Sequence, residues 1–191
     1  MTIPNDEETA IESHGGDLIE IALTGRELPP LTLNSTAGPV LLRELGRELL
    51  VLFIYPHATG LPVAPVPEWD SIPGARGCTA QSCAFRDHQA QLSELGVALA
   101  GLSVQTVNEQ REFALRVGID YRLISDRELV LAAALGLPTF GAGGRTFYRR
   151  VTIVAEKGAI ARVFYPVVAP EQNAAEVVAW LESRTGTASL R

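Results

Sequence analysis

Leu49-Leu50-Val51-Leu52-Phe53-Ile54-Tyr55 is a continuous apolar run that ends at Pro56. A run of this length and composition predicts a β-strand covered on both faces, as in the centre of an α/β sheet. A proline- and glycine-rich loop, a predicted helix over Thr79–Leu95 and a second apolar run, Val97–Val104, follow it. The decisive segment is therefore strand, loop, helix and strand in succession.

The rest of the chain extends this pattern. It predicts helices over Asn108–Val117, Asp126–Leu135 and Glu171–Leu181, a strand over Tyr121–Ile124, a hairpin of Tyr148–Ala155 with Ala159–Tyr165, and a flexible loop over Phe140–Arg145. This order predicts an α/β, thioredoxin-like fold, with a central mixed sheet, a C-terminal β-hairpin and helices on both faces. We expect residues 1–25 to form a flexible acidic segment with a short helix near Asp6–Ser13, residues 26–183 the domain, and residues 184–191 a flexible tail.

Composition restricts the function classes. The 191 residues are 47% hydrophobic and carry a net charge of −6, which favours one globular domain and argues against nucleic acid as a partner. No apolar run is long enough to span a bilayer, and the acidic N-terminus lacks the features of a secretory signal. We therefore expect a cytoplasmic protein with no membrane partner, in which paired cysteines are reactive or metal-bound.

The two cysteines, Cys78 and Cys83, lie where the long loop enters the predicted helix. The first turn of a helix presents free N–H groups and partial positive charge, which favour the nucleophilic thiolate at Cys78. Five residues along a helix correspond to a rise of about 7.5 Å. The Cα atoms would then be roughly 8–9 Å apart, beyond the reach of a disulfide. If the two sulfurs bond, the first turns of the helix must unwind.

Other interpretations of the two cysteines stay open at this level. They could be inert buried thiols, or half of a zinc site with His57 or His88, although their spacing is unusual for zinc and there is no second pair. A disulfide reductase of thioredoxin type is disfavoured by the absence of Cys-x-x-Cys. We expect no metal and no organic cofactor.

The segment Gly77-Cys78-Thr79-Ala80-Gln81-Ser82-Cys83, followed by Phe85-Arg86-Asp87, resembles the peroxiredoxins, and among them the bacterioferritin-comigratory subgroup. The resemblance runs from about Leu28 to Leu181. Its other motifs include Phe53-Ile54-Tyr55-Pro56, Leu123-Ile124-Ser125-Asp126, Arg150-Val151-Thr152-Ile153-Val154 and Val163-Phe164-Tyr165-Pro166-Val167.

The resemblance implies a thiol peroxidase that reduces hydrogen peroxide and organic hydroperoxides. Cys78 would become a sulfenic acid, Cys83 would condense with it to a disulfide, and thioredoxin or a similar dithiol would restore both thiols. The resemblance also implies an arginine beside Cys78, which we place at Arg150, with Arg149 as the alternative if the hairpin turn is shifted. Pro56 and Gln81 would border the site. We expect a monomer or a homodimer.

The chain departs from the family where a threonine normally stands, three residues before the cysteine. Ala75 occupies that position, within an insertion at residues 60–76 that follows Pro56 and Thr59. Either Thr59 reaches the substrate from the near side of the loop, or a backbone group or Ser71 replaces it, and Trp69 would cover the pocket. The departure keeps a second hypothesis open: a redox sensor or binding module that uses the same cysteine switch without turnover.

Overall fold

The computed structural model describes residues 17–58, 66 and 69–188. Helix α1 covers residues 17–23. The other helices are α2 (Leu42–Leu45), α3 (Cys78–Asp87), α4 (Gln89–Glu94), α5 (Val107–Val117), α6 (Val130–Leu135) and α7 (Asn173–Ala188). The strands are β1 (Thr32–Ser35), β2 (Val40–Leu41), β3 (Leu49–Ile54), β4 (Val97–Ser103), β5 (Arg122–Ser125), β6 (Thr139–Ala142), β7 (Arg145–Tyr148), β8 (Val151–Glu156) and β9 (Ala159–Phe164).

Seven of these strands form one mixed sheet in the order β2-β1-β5-β4-β3-β8-β9. Strands β3, β4 and β5 run parallel, whereas β8 pairs antiparallel with β3 and forms a hairpin with β9. The expected central mixed sheet with a C-terminal hairpin is therefore confirmed. The carboxyl ends of β3 and β4 lie at one edge, where sites collect in open α/β sheets.

Strand β3 divides the apolar core between the two faces of the sheet. Leu50, Leu52 and Ile54 face a cluster that includes residues of α1, α2 and α6. Val51 and Phe53 face the opposite cluster, which includes residues of α3, α4, α5 and α7. Alternate side chains of a strand point to opposite faces, so helices on both sides account for the unbroken apolar run.

Several elements differ from the sequence-based expectation. The segment assigned to residues 1–25 contains α1, whose Leu23 is buried because it packs into the core, so the fold begins before residue 26. The predicted helix near Asp6–Ser13 lies outside the described residues. At the other end, α7 continues past residue 183 to Ala188.

The stretch predicted as a flexible loop, Phe140–Arg145, belongs instead to a two-stranded sheet of β6 and β7. Its turn contains Gly143 and Gly144, both with positive φ, a conformation suited to a tight hairpin. The strand predicted over Tyr148–Ala155 is divided, because β7 pairs with β6 and β8 with β3. The single helix predicted over Thr79–Leu95 is likewise two, α3 and α4, separated at His88.

Within the described ranges, no helix has the combination of length and apolar character that crossing a bilayer requires.

Candidate active site

Helix α3 begins directly at Cys78, and Gly77 sets its starting angle. Gly77 is the N-cap with φ 96° and ψ 6°, in the left-handed region that favours glycine. A Cβ atom at this position would lie 2.7 Å from Cγ of Pro170, closer than packed carbon atoms approach. Both the backbone conformation and the contact with the segment before α7 therefore require glycine here.

The sulfur of Cys78 is nearly enclosed, since the residue is only 4% exposed. Nη2 of Arg150 donates a hydrogen bond to this sulfur at 3.4 Å, and the thiol lies 3.6 Å from the carbonyl oxygen of Ala75. Cys83 is half-buried, and both cysteines are free thiols. The structure therefore places a guanidinium cation and a helix N-terminus at the same sulfur.

Arg150 is itself 3% exposed and held from several sides. Nη1 donates to Oε1 of Gln81 at 2.6 Å, and Nη2 donates to the carbonyl oxygens of Arg76 at 2.7 Å and Gly74 at 3.3 Å. Arg150 lies between β7 and β8 rather than on the strand expected from sequence. Arg149 instead lies over the ring of Phe140, with 5.8 Å between its Cζ and the ring centroid.

Gln81 connects Arg150 to a buried polar pair on β8 and α7. Its Nε2 donates to Oδ1 of Asn173 at 2.9 Å, and the hydroxyl of Thr152 donates to the same oxygen at 2.6 Å. All three residues are fully buried. Sequence reasoning named Gln81 but missed Thr152 and Asn173; a threonine inside an apolar strand was the one local signal.

A cavity of about 300 Å³ opens beside the cysteine, lined by His57, Trp69, Asp70, Ala75, Arg76 and Cys78, with Gly77, Thr79 and Ala80. Of its aromatic lining, Trp69 packs against the rings of Phe140 and Phe147, which also pack on each other. Trp69 therefore lies at the pocket, as expected from sequence.

The residues considered at the position of the missing threonine, or as replacements for it, lie in different environments. Ala75 is fully buried and offers only a methyl group to the cavity, and Ser71 is exposed. Pro56 is buried and lies two residues after the end of β3. Thr59 and most of the 60–76 insertion before Trp69 lie outside the described residues.

His57 is a buried polar residue of this cavity that the sequence analysis considered only as a metal ligand. Its ring packs edge-on against Trp69 and Phe147, with 6.0 Å between centroids in each case. Burial lowers the pKa of His57 below its usual value, and nearby Arg145 lowers it further, while Glu109 acts in the opposite direction. Within the described residues, no three His, Cys, Asp or Glu side chains are grouped as a metal site.

The surroundings of Cys83 contain other partners. The hydroxyl of Tyr121 donates to the carbonyl oxygen of Ser82 at 2.8 Å, which ties the second turn of α3 to the start of β5. The pKa of Arg86 is raised by its hydrogen bond to Asp87 and, to a lesser degree, by the sulfur of Cys83. A second cation thus lies near the second sulfur.

Several known proteins are similar to this chain in sequence and in fold. Residues 23–178 match the family model described as Redoxin. A Mycobacterium tuberculosis protein named as a peroxiredoxin is 31% identical over 130 residues, which are 68% of this chain and 73% of that protein. Chloroplast peroxiredoxin Q of Sedum lineare is 28% identical over 161 residues, 83% of this chain and 77% of that protein. The crystal structure of peroxidoxin BcpB from M. tuberculosis is similar with a TM-score of 0.69 and 27% identity, covering 84% of this chain and 97% of that one.

Proposed function

The chain belongs to the redoxin family and within it to the peroxiredoxins, and from this premise we propose that Cys78 is the thiolate that reduces the hydroperoxide. The observation that carries the assignment is the 3.4 Å contact between the Cys78 sulfur and the buried guanidinium of Arg150. A nearby fixed cation favours the thiolate over the thiol, and the helix N-terminus acts in the same direction.

In the first step, the Cys78 thiolate attacks the terminal oxygen of a hydroperoxide. A sulfur–oxygen bond forms, the oxygen–oxygen bond breaks, and the other oxygen leaves as water or an alcohol after taking up a proton. Arg150 is placed to stabilise the sulfur anion before attack and the negative charge that then develops on the oxygens. Gln81 orients Arg150 through the 2.6 Å hydrogen bond to Nη1.

In the second step, the Cys83 thiol condenses with the sulfenic acid, releases water and closes a disulfide. The two cysteines occupy one intact helix, so this step requires the first turns of α3 to unwind. Unwinding would break the hydrogen bonds that join Gln81 to Arg150 and to Asn173. It would also break the hydrogen bond between Tyr121 and the carbonyl oxygen of Ser82. A dithiol such as thioredoxin in the cytoplasm would then reduce the disulfide, leaving both thiols free as they are here.

The experiment is peroxide consumption with thioredoxin, its reductase and NADPH, on the wild type, Cys78→Ser and Cys83→Ser. We expect turnover in the wild type and none in Cys78→Ser. Cys83→Ser should consume one equivalent of peroxide and accumulate a sulfenic acid that a cyclic dione traps. Equal turnover in the wild type and Cys78→Ser would refute the assignment of the nucleophile.

The same assay separates the peroxidase from a redox sensor without turnover. Both would form the disulfide with stoichiometric peroxide, but only the peroxidase consumes many equivalents when reductant is present. A wild-type protein that forms the disulfide with stoichiometric peroxide, but that thioredoxin does not return to the thiol form, would favour the sensor.

A further inference from the structure

We propose that His57 is a catalytic residue of this peroxidase, and that its ring N–H donates a hydrogen bond to the leaving oxygen of the hydroperoxide. This inference rests on the function proposed above. It assigns to an imidazole the contact that the family's threonine would make, at a site where Ala75 offers only a methyl group.

The location of His57 supports this role. It follows β3 by three residues, at the carboxyl edge of the parallel strands, and lines the same cavity as Cys78. Arg150 holds the same sulfur through Nη2, and its Nη1 and Nη2 also donate to amide and carbonyl oxygens, whereas its Nε has no partner among the described residues. A hydroperoxide in the cavity would therefore lie between Cys78 and the imidazole.

The ring is held in place but not fully bonded. His57 is 7% exposed, and the edge-on contacts with Trp69 and Phe147 fix its plane. Its Nδ1 is buried and has no hydrogen-bond partner among the described residues. Buried polar atoms are nearly always paired, and one without a described partner on a residue that lines the Cys78 cavity marks a place for a polar ligand.

The charge state of His57 fits a donor to an uncharged substrate. Burial and the repulsion from Arg145 lower the pKa of His57, and the attraction of Glu109 does not reverse this effect. The other charged groups at the cavity, Asp70 and Arg76, are paired with each other at 3.2 Å. The ring is thus neutral near pH 7, with one N–H donor and one acceptor nitrogen. A neutral imidazole can stabilise negative charge on oxygen by donating a hydrogen bond.

The Cys78 thiolate supplies the electron pair of the new sulfur–oxygen bond, and the pair of the broken oxygen–oxygen bond departs on the leaving oxygen. The His57 N–H stabilises that oxygen while its charge develops, and a proton from solvent then converts it to an alcohol or water. Cys78 is oxidised, the peroxide is reduced, and His57 ends the step unchanged.

The test compares peroxide with a reagent that has no leaving oxygen to stabilise in this way. Single-turnover oxidation of Cys78 by cumene hydroperoxide, and alkylation of Cys78 by iodoacetamide, are measured in a Cys83→Ser background with wild-type His57, His57→Phe, His57→Leu and His57→Gln. Phenylalanine keeps the ring packing without nitrogen, leucine is a second apolar variant, and glutamine restores an N–H donor. We expect peroxide oxidation to fall about 10- to 100-fold in the two apolar variants, alkylation to change less than about twofold, and glutamine to recover part of the loss.

A matched control is His88→Phe, which removes the imidazole between α3 and α4 that contacts the carbonyl oxygen of Ala84. We expect both rates to be unchanged in it. Peroxide oxidation within about twofold of wild type in His57→Phe or His57→Leu would overturn the proposal, as would a parallel fall of both rates in all three His57 variants. If the protein with His57 intact is alkylated but not oxidised by peroxide, the proposed function itself fails.

Discussion

The first and second turns of helix α3 differ in what surrounds their cysteine sulfurs. The first turn carries Cys78, which is nearly enclosed and tied through Arg150 and Gln81 to β8 and α7. The second turn carries Cys83, which is half-buried and has Arg86 close by. If Cys78 reacts with peroxide as we propose, one helix holds this sulfur beside a cation and keeps the second sulfur apart from it, because the intact backbone separates them.

We expect the largest effect from a substitution that changes the surroundings of the Cys78 sulfur. Arg150→Met removes the cation at the Cys78 sulfur, so we expect oxidation of Cys78 by peroxide to slow about 100-fold. Alkylation of Cys83, measured in Cys78→Ser, should be unaffected by the change and serves as the internal control. Arg150→Lys should lose most of the rate as well, because an ammonium cannot reproduce the forked contacts. An unchanged rate of Cys78 oxidation in both variants would contradict the role of Arg150.

A smaller effect is expected from Gln81→Leu, which keeps the Cys78–Arg150 contact but removes its support. We expect a loss of about tenfold in peroxide oxidation, since Arg150 is no longer oriented and Asn173 loses a buried partner. Hydrogen exchange of the first turn of α3 should rise more than that of Arg86 and Asp87. Uniform exchange along α3 would mean that the first turn is not specifically held by Gln81.

The second turn is probed by Tyr121→Phe, which removes the hydroxyl that bonds the carbonyl oxygen of Ser82. We expect unwinding of α3 to break this hydrogen bond. Without the bond, the free-energy barrier to disulfide closure should be lower by roughly 1 kcal/mol, which corresponds to closure about fivefold faster. Formation of the sulfenic acid should not change. Stopped-flow fluorescence after peroxide mixing resolves the two steps, and slower closure in Tyr121→Phe would exclude unwinding as the limiting event.

The smallest effect concerns stability against pH on the cavity side of Cys78. His57 has a lowered pKa in the folded state, so below its ordinary value of 6.5 the unfolded chain binds the proton more readily. Stability should therefore decrease as pH falls through about 6.5, with Glu109 opposing and Arg145 reinforcing the effect. Urea unfolding from pH 8 to 5 should show a shallower decrease in His57→Phe. An identical slope in the two proteins would contradict this.

The local patterns predicted much of this fold and part of its site. The apolar run of β3 and the loop-to-helix step at Cys78 are short-range signals, and both predict the structure correctly. The proximity of Arg150 to Cys78 agrees with the expectation from family spacing, although its position between two strands was not foreseen.

The features that were missed depend on contacts across long stretches of sequence. Asn173 meets Gln81 from a distance of 92 residues, and no local pattern predicts that pair. Leu23 is buried by elements far from it in the chain, so no local pattern predicts that α1 packs into the core. The β6–β7 hairpin is different, because the adjacent glycines at 143 and 144 are a turn signal that could have been recognised.

The contact between Gly77 and Pro170 carries an evolutionary consequence. Gly77 packs so closely against the ring of Pro170 that there is no room for a side chain at position 77 while proline occupies position 170. Substitutions at the two positions should therefore show epistasis: a side chain at 77 could be accepted only in a background where position 170 has already become smaller, and even then at the cost of the left-handed turn. We therefore expect the segment that begins α3 and the residues just before α7 to change together among related sequences.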